Sequence, residues 1–355
     1  MRTKLILLFT CSCTLHLFAQ NTIQPSQFIF TGKVIGSNAP KIYLSYKNKE
    51  GKRIMDSCIL KDGDFSFTGY IDEPTSAFAK TTTKIMEDAT NMNFTGFFIE
   101  PGVLSAVFTQ DHFKEVKIIG SKTQQEAEQL EIKFDSLRRN PATFNAKNFM
   151  EVVAIYSRAH PGSYLSVNEL GSYMTRWPLD TLQKLYDHLD ITMRNTTRDG
   201  KAIGRYLTQQ YDNGAGRMAQ EFSSKDINGK MISMTGFKGK YVILDFWGSW
   251  CAPCRASTPH LLALFNNYHN KGLEVIAIAE EYYDKSGKEW KNAIKKDGTE
   301  IWYNVLNDES RSIVEKFGVH SFPTKFLVDA DGKIVGRYNG DQSADLDKAL
   351  AGIFK

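Results

Sequence analysis

The chain has 355 residues, of which 42% are hydrophobic and 24% charged, and its formal net charge is +4. This composition is ordinary for a soluble globular protein, and so small a charge gives no basis for predicting a nucleic-acid partner or binding to an anionic membrane. At about 150 residues per domain, the length predicts two or three domains.

Residues 1–20 have the pattern of a secretory signal peptide. Arg2 and Lys4 form a short positive region, residues 5–18 are mostly apolar, and Ala19 is a small residue suited to a cleavage site. The segment is short for a transmembrane helix. We therefore expect export to the periplasm or cell envelope, with an ordinary buried N-terminal helix as the alternative.

The cysteines indicate redox chemistry more than a disulfide framework. Cys11 and Cys13 fall in the predicted signal peptide, where the apolar run before them is short for a lipid-attachment site, so no lipid anchor is expected. Removal of the signal leaves Cys58, Cys251 and Cys254. One local pair and one distant cysteine favour a redox pair, and Cys58 is expected to be a small buried strand residue.

Residues 21–120 have the alternating pattern of a β domain. Short runs rich in Val, Ile, Phe, Tyr and Thr are separated by turn residues such as Asp62-Gly63. The predicted strands are 28–34, 41–46, 54–60, 65–71, 96–99 and 105–108. Strands this short and this frequent predict an antiparallel sandwich or barrel.

Residues 121–215 form a predicted helical segment or linker without a catalytic motif. Thr123 and Glu126 have capping-box spacing, and apolar residues then recur at helical steps. Two more helices are predicted over 149–156 and 179–193. The glycine-rich stretch 211–216 marks a domain boundary.

Residues 216–355 alternate between strand and helix patterns, which predicts a mixed α/β domain. A hairpin over 223–232 precedes an apolar strand over 241–246, and that strand leads directly to Cys251 and Cys254. The later predicted elements are a helix over 256–268, a strand over 273–279, helices over 288–296 and 310–317, strands over 325–329 and 333–338, and a helix over 343–354.

Cys251 therefore lies where a strand passes into the N-terminus of a helix. Unpaired backbone N–H groups and the helix dipole favour a negative sulfur there, and the thiolate is the reactive form of cysteine. The Cys-x-x-Cys spacing lets Cys254 attack a mixed disulfide formed by Cys251, which is thiol–disulfide exchange. The alternatives are a purely structural disulfide, which gains little from so small a loop, or half of a zinc site. For zinc, His260 and His320 are the nearest further ligands in sequence.

Several motifs resemble those of a thioredoxin-fold domain, and together they cover roughly residues 216–355. They are Asp245-Phe-Trp, Trp250-Cys-Ala-Pro-Cys254, Pro259 five residues after the second cysteine, and Phe322-Pro323-Thr324 before a strand. Arg255, the extra segment 281–297 and the signal peptide resemble the TlpA/ResA-like branch, which comprises exported thiol–disulfide oxidoreductases of bacteria. The β-rich region with its helical spacer resembles a module of unassigned function that often precedes such domains in Bacteroidetes-type proteins.

The resemblance implies roles for individual residues. Cys251 would be the exposed nucleophile, Cys254 the buried resolving thiol, and Asp245 the buried carboxylate that accepts the proton of Cys254. Pro323 matches a cis-proline that faces the cysteine pair and leaves the Phe322 backbone free to pair with an extended substrate. Beside them, Trp247, Trp250, Phe322 and Thr324 would contact protein substrates.

Two departures from the family pattern are present. Many exported members carry a glutamate three residues after the second cysteine, where this chain has Ser257, so a specificity that depends on that carboxylate is in doubt. Ala252 stands where glycine is commoner.

The sequence predicts an exported thiol–disulfide oxidoreductase that reduces protein disulfides without a metal or other cofactor. Its expected partners are protein disulfide substrates and a membrane-bound thiol reductant. The first alternative is an adaptor whose β module is the working part. The second is a thiol peroxidase, which would need a threonine three residues before its reactive cysteine, where this chain has Gly248.

Overall fold

The structure is a computed structural model, and it describes residues 24–81, 93–284, 286–307, 312–340 and 342–355. The predicted signal peptide lies outside the described residues. Among those residues, no helix has both the length and the apolar character needed to cross a membrane. The chain divides into two compact units, residues 1–144 and 145–355, and each unit is considered by itself.

The first unit is a β-sandwich of two four-stranded sheets, with strand orders β4-β1-β7-β8 and β3-β2-β5-β6. Its strands are β1 Gln27–Ile35, β2 Lys41–Lys47, β3 Arg53–Ile59, β4 Asp64–Tyr70, β5 Thr75–Lys80, β6 Phe94–Ile99, β7 Gly102–Thr109 and β8 Lys117–Ile119. Side chains from both sheets, among them Phe30 and Leu44, enclose one apolar core. The β1–β7 pair is parallel and the other pairs are antiparallel, a detail that the strand pattern does not indicate.

Helix α1, Lys122–Arg139, follows the strands of the first unit. Its N-cap is Ser121, whose side chain accepts a hydrogen bond from the Gln124 backbone N–H. The predicted capping box at Thr123 is therefore wrong, because the Thr123 hydroxyl instead donates to Glu100 Oε2 at 2.9 Å.

The second unit begins with five helices: α2 Ala146–Ala159, α3 Tyr164–Ser172, α4 Leu179–His188, α5 Ile191–Thr196 and α6 Arg198–Asp212. The single helix predicted over 179–193 is interrupted, because Asp190 accepts a hydrogen bond from the Thr192 N–H and so begins a new helix. Similarly, Thr197 caps α6 by accepting from the Gly200 N–H, and Gly200 lies inside this helix.

The C-terminal end of α6 is hydrogen-bonded to a segment more than a hundred residues later in the same unit. Gln210 Nε2 donates to the Gly318 carbonyl at 2.9 Å, and Asn213 Nδ2 donates to the Lys316 carbonyl at 3.0 Å. Arg337 also donates to Gln210 Oε1. The first two bonds join α6 to the segment that leads to the predicted cis-proline, and the third joins it to a residue that follows this proline.

The rest of the second unit is a mixed five-stranded sheet, in the order β13-β12-β11-β14-β15, with a small hairpin beside it. Its elements are β9 Ser223–Lys225, β10 Met231–Ser233, β11 Tyr241–Trp247, α7 Ala252–Tyr268, β12 Leu273–Ala279, α8 Lys288–Asp297, β13 Tyr303–Leu306, α9 Ile313–Lys316, β14 Thr324–Val328, β15 Ile334–Asn339 and α10 Ser343–Ile353. Three parallel strands followed by an antiparallel hairpin, with helices between them, make a thioredoxin fold, as the resemblance implied.

The central strand β11 carries the site because it is buried on both faces. Ile243 packs in one apolar core, and its neighbours Val242 and Leu244 pack in the other. Packing on both faces therefore fixes the position of the end of β11, and with it the start of the loop that carries Cys251.

Candidate active site

Cys251 and Cys254 form a disulfide at the N-terminus of α7, with their Cα atoms 5.3 Å apart. Cys251 is the N-cap residue, and its Sγ accepts a hydrogen bond from the Cys254 backbone N–H at 3.2 Å. Once the disulfide is reduced, the same N–H group and the helix dipole would favour a thiolate on Cys251.

The two cysteines are equally buried in the disulfide-bonded protein. Cys251 is 4% exposed and Cys254 3% exposed. The expectation that Cys251 is exposed is therefore wrong for this state. The physical reason is that both residues belong to the same apolar cluster as Trp247, with Phe322 packed against it.

Asp245 lies in β11 directly opposite Lys325 of β14. The Lys325 Nζ atom is 3.1 Å from Asp245 Oδ1, at an angle that makes no hydrogen bond, so the contact is an ion pair. Lys325 Nζ also lies 3.4 Å from Ser257 Oγ, which donates to the Cys254 carbonyl at 2.8 Å. These polar contacts connect Asp245 to the helical turn that holds Cys254.

Lys325 was not among the predicted site residues, although the sequence carries a signal for it. Lysine is rarely buried without a partner, and Lys325 interrupts a strand whose other residues are apolar or small. Ser257, noted only as a departure from the family pattern, is the residue that Lys325 reaches.

The Phe322–Pro323 peptide bond is cis, as the resemblance implied. The Pro323 carbonyl accepts a hydrogen bond from the Gly340 N–H at 2.9 Å. Thr324 is fully buried, and its hydroxyl donates to the Ser321 carbonyl at 2.7 Å. The Thr324 side chain is thus part of the support for this segment, which corrects its assignment as a substrate contact.

A group of aromatic rings that contact one another lies beside the cysteine pair, and we define this aromatic rim as Trp250, Tyr282, Tyr283 and Phe322. The Trp250 ring is 38% exposed and lies 5.0 Å from the Tyr282 ring and 5.7 Å from the Phe322 ring. Tyr282 and Tyr283 are exposed and were not predicted. Trp247, expected in this rim, is buried in the core instead, because it points inward from the end of β11.

Glu281 also contacts the active-site loop and was missed. It follows β12, which is the parallel neighbour of β11, and its carboxylate accepts two hydrogen bonds from Ser249. The available signal was topological, since the carboxyl ends of neighbouring parallel strands meet at one edge of a sheet.

Gly248 has no room for a side chain. A Cβ atom at this position would lie 2.6 Å from Trp250 Nε1 and 2.8 Å from the Glu280 carbonyl oxygen. The threonine that the peroxidase alternative needs at this position would therefore clash with the loop.

The two histidines considered as zinc ligands have other partners. His260 Nε2 lies 2.9 Å from Asp347 Oδ1, and His320 Nε2 lies 3.3 Å from Gln209 Oε1. In the part of the chain that the structure describes, no group of three or more His, Cys, Asp or Glu side chains is arranged to hold a metal ion.

Comparison with known proteins adds two family matches. Residues 215–337 match the AhpC/TSA family, and residues 28–127 match a domain of unknown function, DUF4369. The second match agrees with the module of unassigned function that the sequence resembled.

The similar proteins include several named thiol-disulfide oxidoreductase ResA. The protein of Bacillus thuringiensis subsp. konkukian (strain 97-27) is 35% identical over 140 residues, which is 39% of this chain and 78% of the relative. The protein of Bacillus subtilis (strain 168) is 30% identical over 131 residues, which is 37% of this chain and 70% of the relative. Among solved structures, the thioredoxin domain of a thiol-disulfide oxidoreductase from Bacteroides vulgatus is 33% identical, with a TM-score of 0.35. That alignment covers 38% of this chain and 97% of the solved one.

Proposed function

The chain belongs to the family of ResA-like thiol–disulfide oxidoreductases, and we propose that it is exported and reduces disulfide bonds of other proteins through Cys251 and Cys254. The observation that supports this most directly is the position of Cys251, whose sulfur accepts the Cys254 N–H at the start of α7. The partly exposed aromatic rim beside it provides apolar surface for a polypeptide substrate.

In the proposed reaction, the Cys251 thiolate attacks one sulfur of a substrate disulfide. That S–S bond breaks, and its electron pair leaves on the other substrate sulfur, which takes a proton from solvent. Cys254 then transfers its proton to Asp245 and attacks Cys251, which expels the second substrate sulfur as a thiolate and leaves the Cys251–Cys254 disulfide. The expelled thiolate takes a proton from solvent, and Asp245 returns its own proton to solvent. Lys325, paired with Asp245, balances the buried negative charge.

The catalytic part of the proposal is assigned to residues 216–355. The module of residues 21–120 and the helical segment of residues 121–215 carry no assigned chemistry. Export follows from the signal-peptide pattern of residues 1–20. A membrane-bound thiol reductant would return the pair to the dithiol form in the periplasm or cell envelope.

Replacement of the resolving cysteine tests the assignment. The Cys254→Ser variant should accumulate mixed disulfides between Cys251 and its substrates, because the second attack is removed. These adducts would appear in envelope extracts as bands that disappear on reduction. The Cys251→Ser variant is the matched control and should form none; equal adducts in both variants would refute the roles.

The direction of electron flow has its own test, the reduction potential of the wild-type pair against glutathione. A value of about −250 mV or lower is expected of a thioredoxin-like reductant, whereas about −120 mV is the value of a strong oxidant. The second value would contradict the proposed reduction of substrates while leaving the oxidoreductase chemistry intact.

A further inference from the structure

The carboxylate of Glu281 is buried against the loop that carries the nucleophile. Glu281 is 6% exposed, and it accepts hydrogen bonds from the Ser249 N–H and the Ser249 hydroxyl, both at 2.7 Å. Burial of a carboxylate is costly unless its oxygens are hydrogen-bonded, and here each oxygen has its own donor. These two donors are neutral.

The same loop is held at two further points. Trp250 Nε1 donates to the Glu280 carbonyl at 2.7 Å, and the Cys251 N–H donates to the Gly248 carbonyl at 3.0 Å. The end of β12 therefore fixes the backbone from residue 248 to the nucleophile. Among these contacts, the two hydrogen bonds from Ser249 to Glu281 are the ones made to a charged group.

The hydrogen bonds also limit how far the charge lies from the backbone of the nucleophilic residue. The Glu281–Ser249 bond is 2.7 Å and the Cys251–Gly248 bond is 3.0 Å. The Ser249 nitrogen and the Gly248 carbonyl oxygen belong to the same peptide unit. The three distances added together place Glu281 Oε1 within about 8 Å of the Cys251 backbone nitrogen. At that separation a buried charge is poorly screened by salt. The nearby Arg255 guanidinium makes a bidentate contact with Asp297.

We propose that Glu281 is a positioning residue that holds the active-site loop through Ser249 and makes the cysteine pair more strongly reducing. The disulfide is neutral, whereas the reduced pair carries a negative thiolate on Cys251. A fixed negative charge nearby raises the free energy of the reduced form alone. This inference rests on the proposed function, and it assigns to a β12 residue an influence on the nucleophile from outside the Cys-x-x-Cys motif.

The test is the equilibrium in which the protein disulfide and two glutathione thiols form the protein dithiol and one glutathione disulfide. The Glu281→Gln variant has the same size and keeps an acceptor for the Ser249 N–H, while its amide group donates to the Ser249 hydroxyl oxygen in place of the bond that Glu281 accepts. The loop therefore stays attached while the charge is lost. The equilibrium constant of this variant should shift three- to tenfold toward the reduced protein; a tenfold shift equals about 30 mV. The alkylation rate of Cys251 by iodoacetamide at pH 7 should rise in parallel.

Two variants separate charge from geometry. Glu280→Gln removes the neighbouring carboxylate, whose side chain contacts Asn307 instead of the loop, and should leave the constant within a factor of about 1.5 of the wild-type value. Ser249→Ala removes one loop bond but keeps the charge, and should change the constant by less than about twofold. A Glu281→Gln value equal to wild type, or a Ser249→Ala shift as large as that of Glu281→Gln, would overturn the proposal. The absolute wild-type potential tests the proposed direction of electron flow, whereas the difference between variants tests Glu281.

Discussion

The ion pair between Asp245 and Lys325 should couple the two strands that meet under the cysteine pair. The side chains of Lys325 and Asp245 are only 10% and 13% exposed, with 3.1 Å between the charged atoms. At an effective dielectric constant of about 20, the Coulomb attraction at this distance is about 5 kcal/mol before desolvation is subtracted. Loss of one partner leaves the other charge buried and unpaired, which typically costs about 3–5 kcal/mol.

We therefore expect Asp245→Asn and Lys325→Met each to lower the free energy of unfolding of the oxidised protein by about 3 kcal/mol. The double variant should lose about the same amount, which gives an interaction energy of about 3 kcal/mol in a double-mutant cycle. The assay is guanidinium-induced unfolding followed by tryptophan fluorescence. All five tryptophans lie between Trp177 and Trp302, so the signal reports the second unit alone.

The exposed pair of Lys348 and Asp345 provides the control. These atoms are 3.7 Å apart on α10, with side chains 81% and 59% exposed, and their interaction energy should be below about 0.5 kcal/mol. An interaction energy of the buried pair no larger than that of this control would show that Lys325 does not compensate the charge of Asp245.

Three further predictions concern residues around the site. Gly248→Ala should lower the free energy of unfolding by about 1–3 kcal/mol because of the contacts with Trp250 and Glu280, whereas Gly352→Ala on α10, with nothing within 4 Å, should be neutral or stabilising in the same unfolding assay. Arg255→Lys should cost about 1–2 kcal/mol in thermal unfolding, since lysine cannot make the bidentate contact with Asp297; an unchanged melting temperature would contradict this. Loss of water around the His320 ring where it packs beside Tyr206, with a smaller effect of Arg337, lowers the pKa of His320 below its ordinary value, so the unfolded chain takes up this proton first and stability should fall as the pH drops below about 6.5. An NMR titration of His320 checks the pKa, and the His320→Gln variant should lose that part of the pH dependence.

The sequence predicted the parts of the site that depend on local order. An apolar strand, a Cys-x-x-Cys motif and a helical pattern follow one another from residue 241 to residue 268, and the structure has β11, the disulfide and α7 in those places. Two predicted helix starts and ends were wrong because a neighbouring polar side chain caps the helix instead. Asp190 and Ser121 cap their helices through neighbouring N–H groups, and capping residues compete closely at this range.

The contacts that required tertiary structure could not be predicted from one sequence. Lys325 faces Asp245 because of the register between β14 and β11, and a slip of one residue would place Phe326 there instead. The burial of Cys251 is likewise a collective property, since the side chains that cover it come from β11 and from the segment before β14. Glu281 reaches Ser249 only because β12 lies beside β11.

The hydrogen bonds of α6 bear on the order in which the chain is synthesised. Gln210 and Asn213 leave the ribosome 108 and 103 residues before the carbonyl groups they bind, and Arg337 follows Gln210 by 127 residues. During translation the polar end of α6 must remain hydrated until nearly the last strand has been made. The second unit therefore gains these contacts in a late step, and a ribosome stalled before residue 316 would present α6 without them.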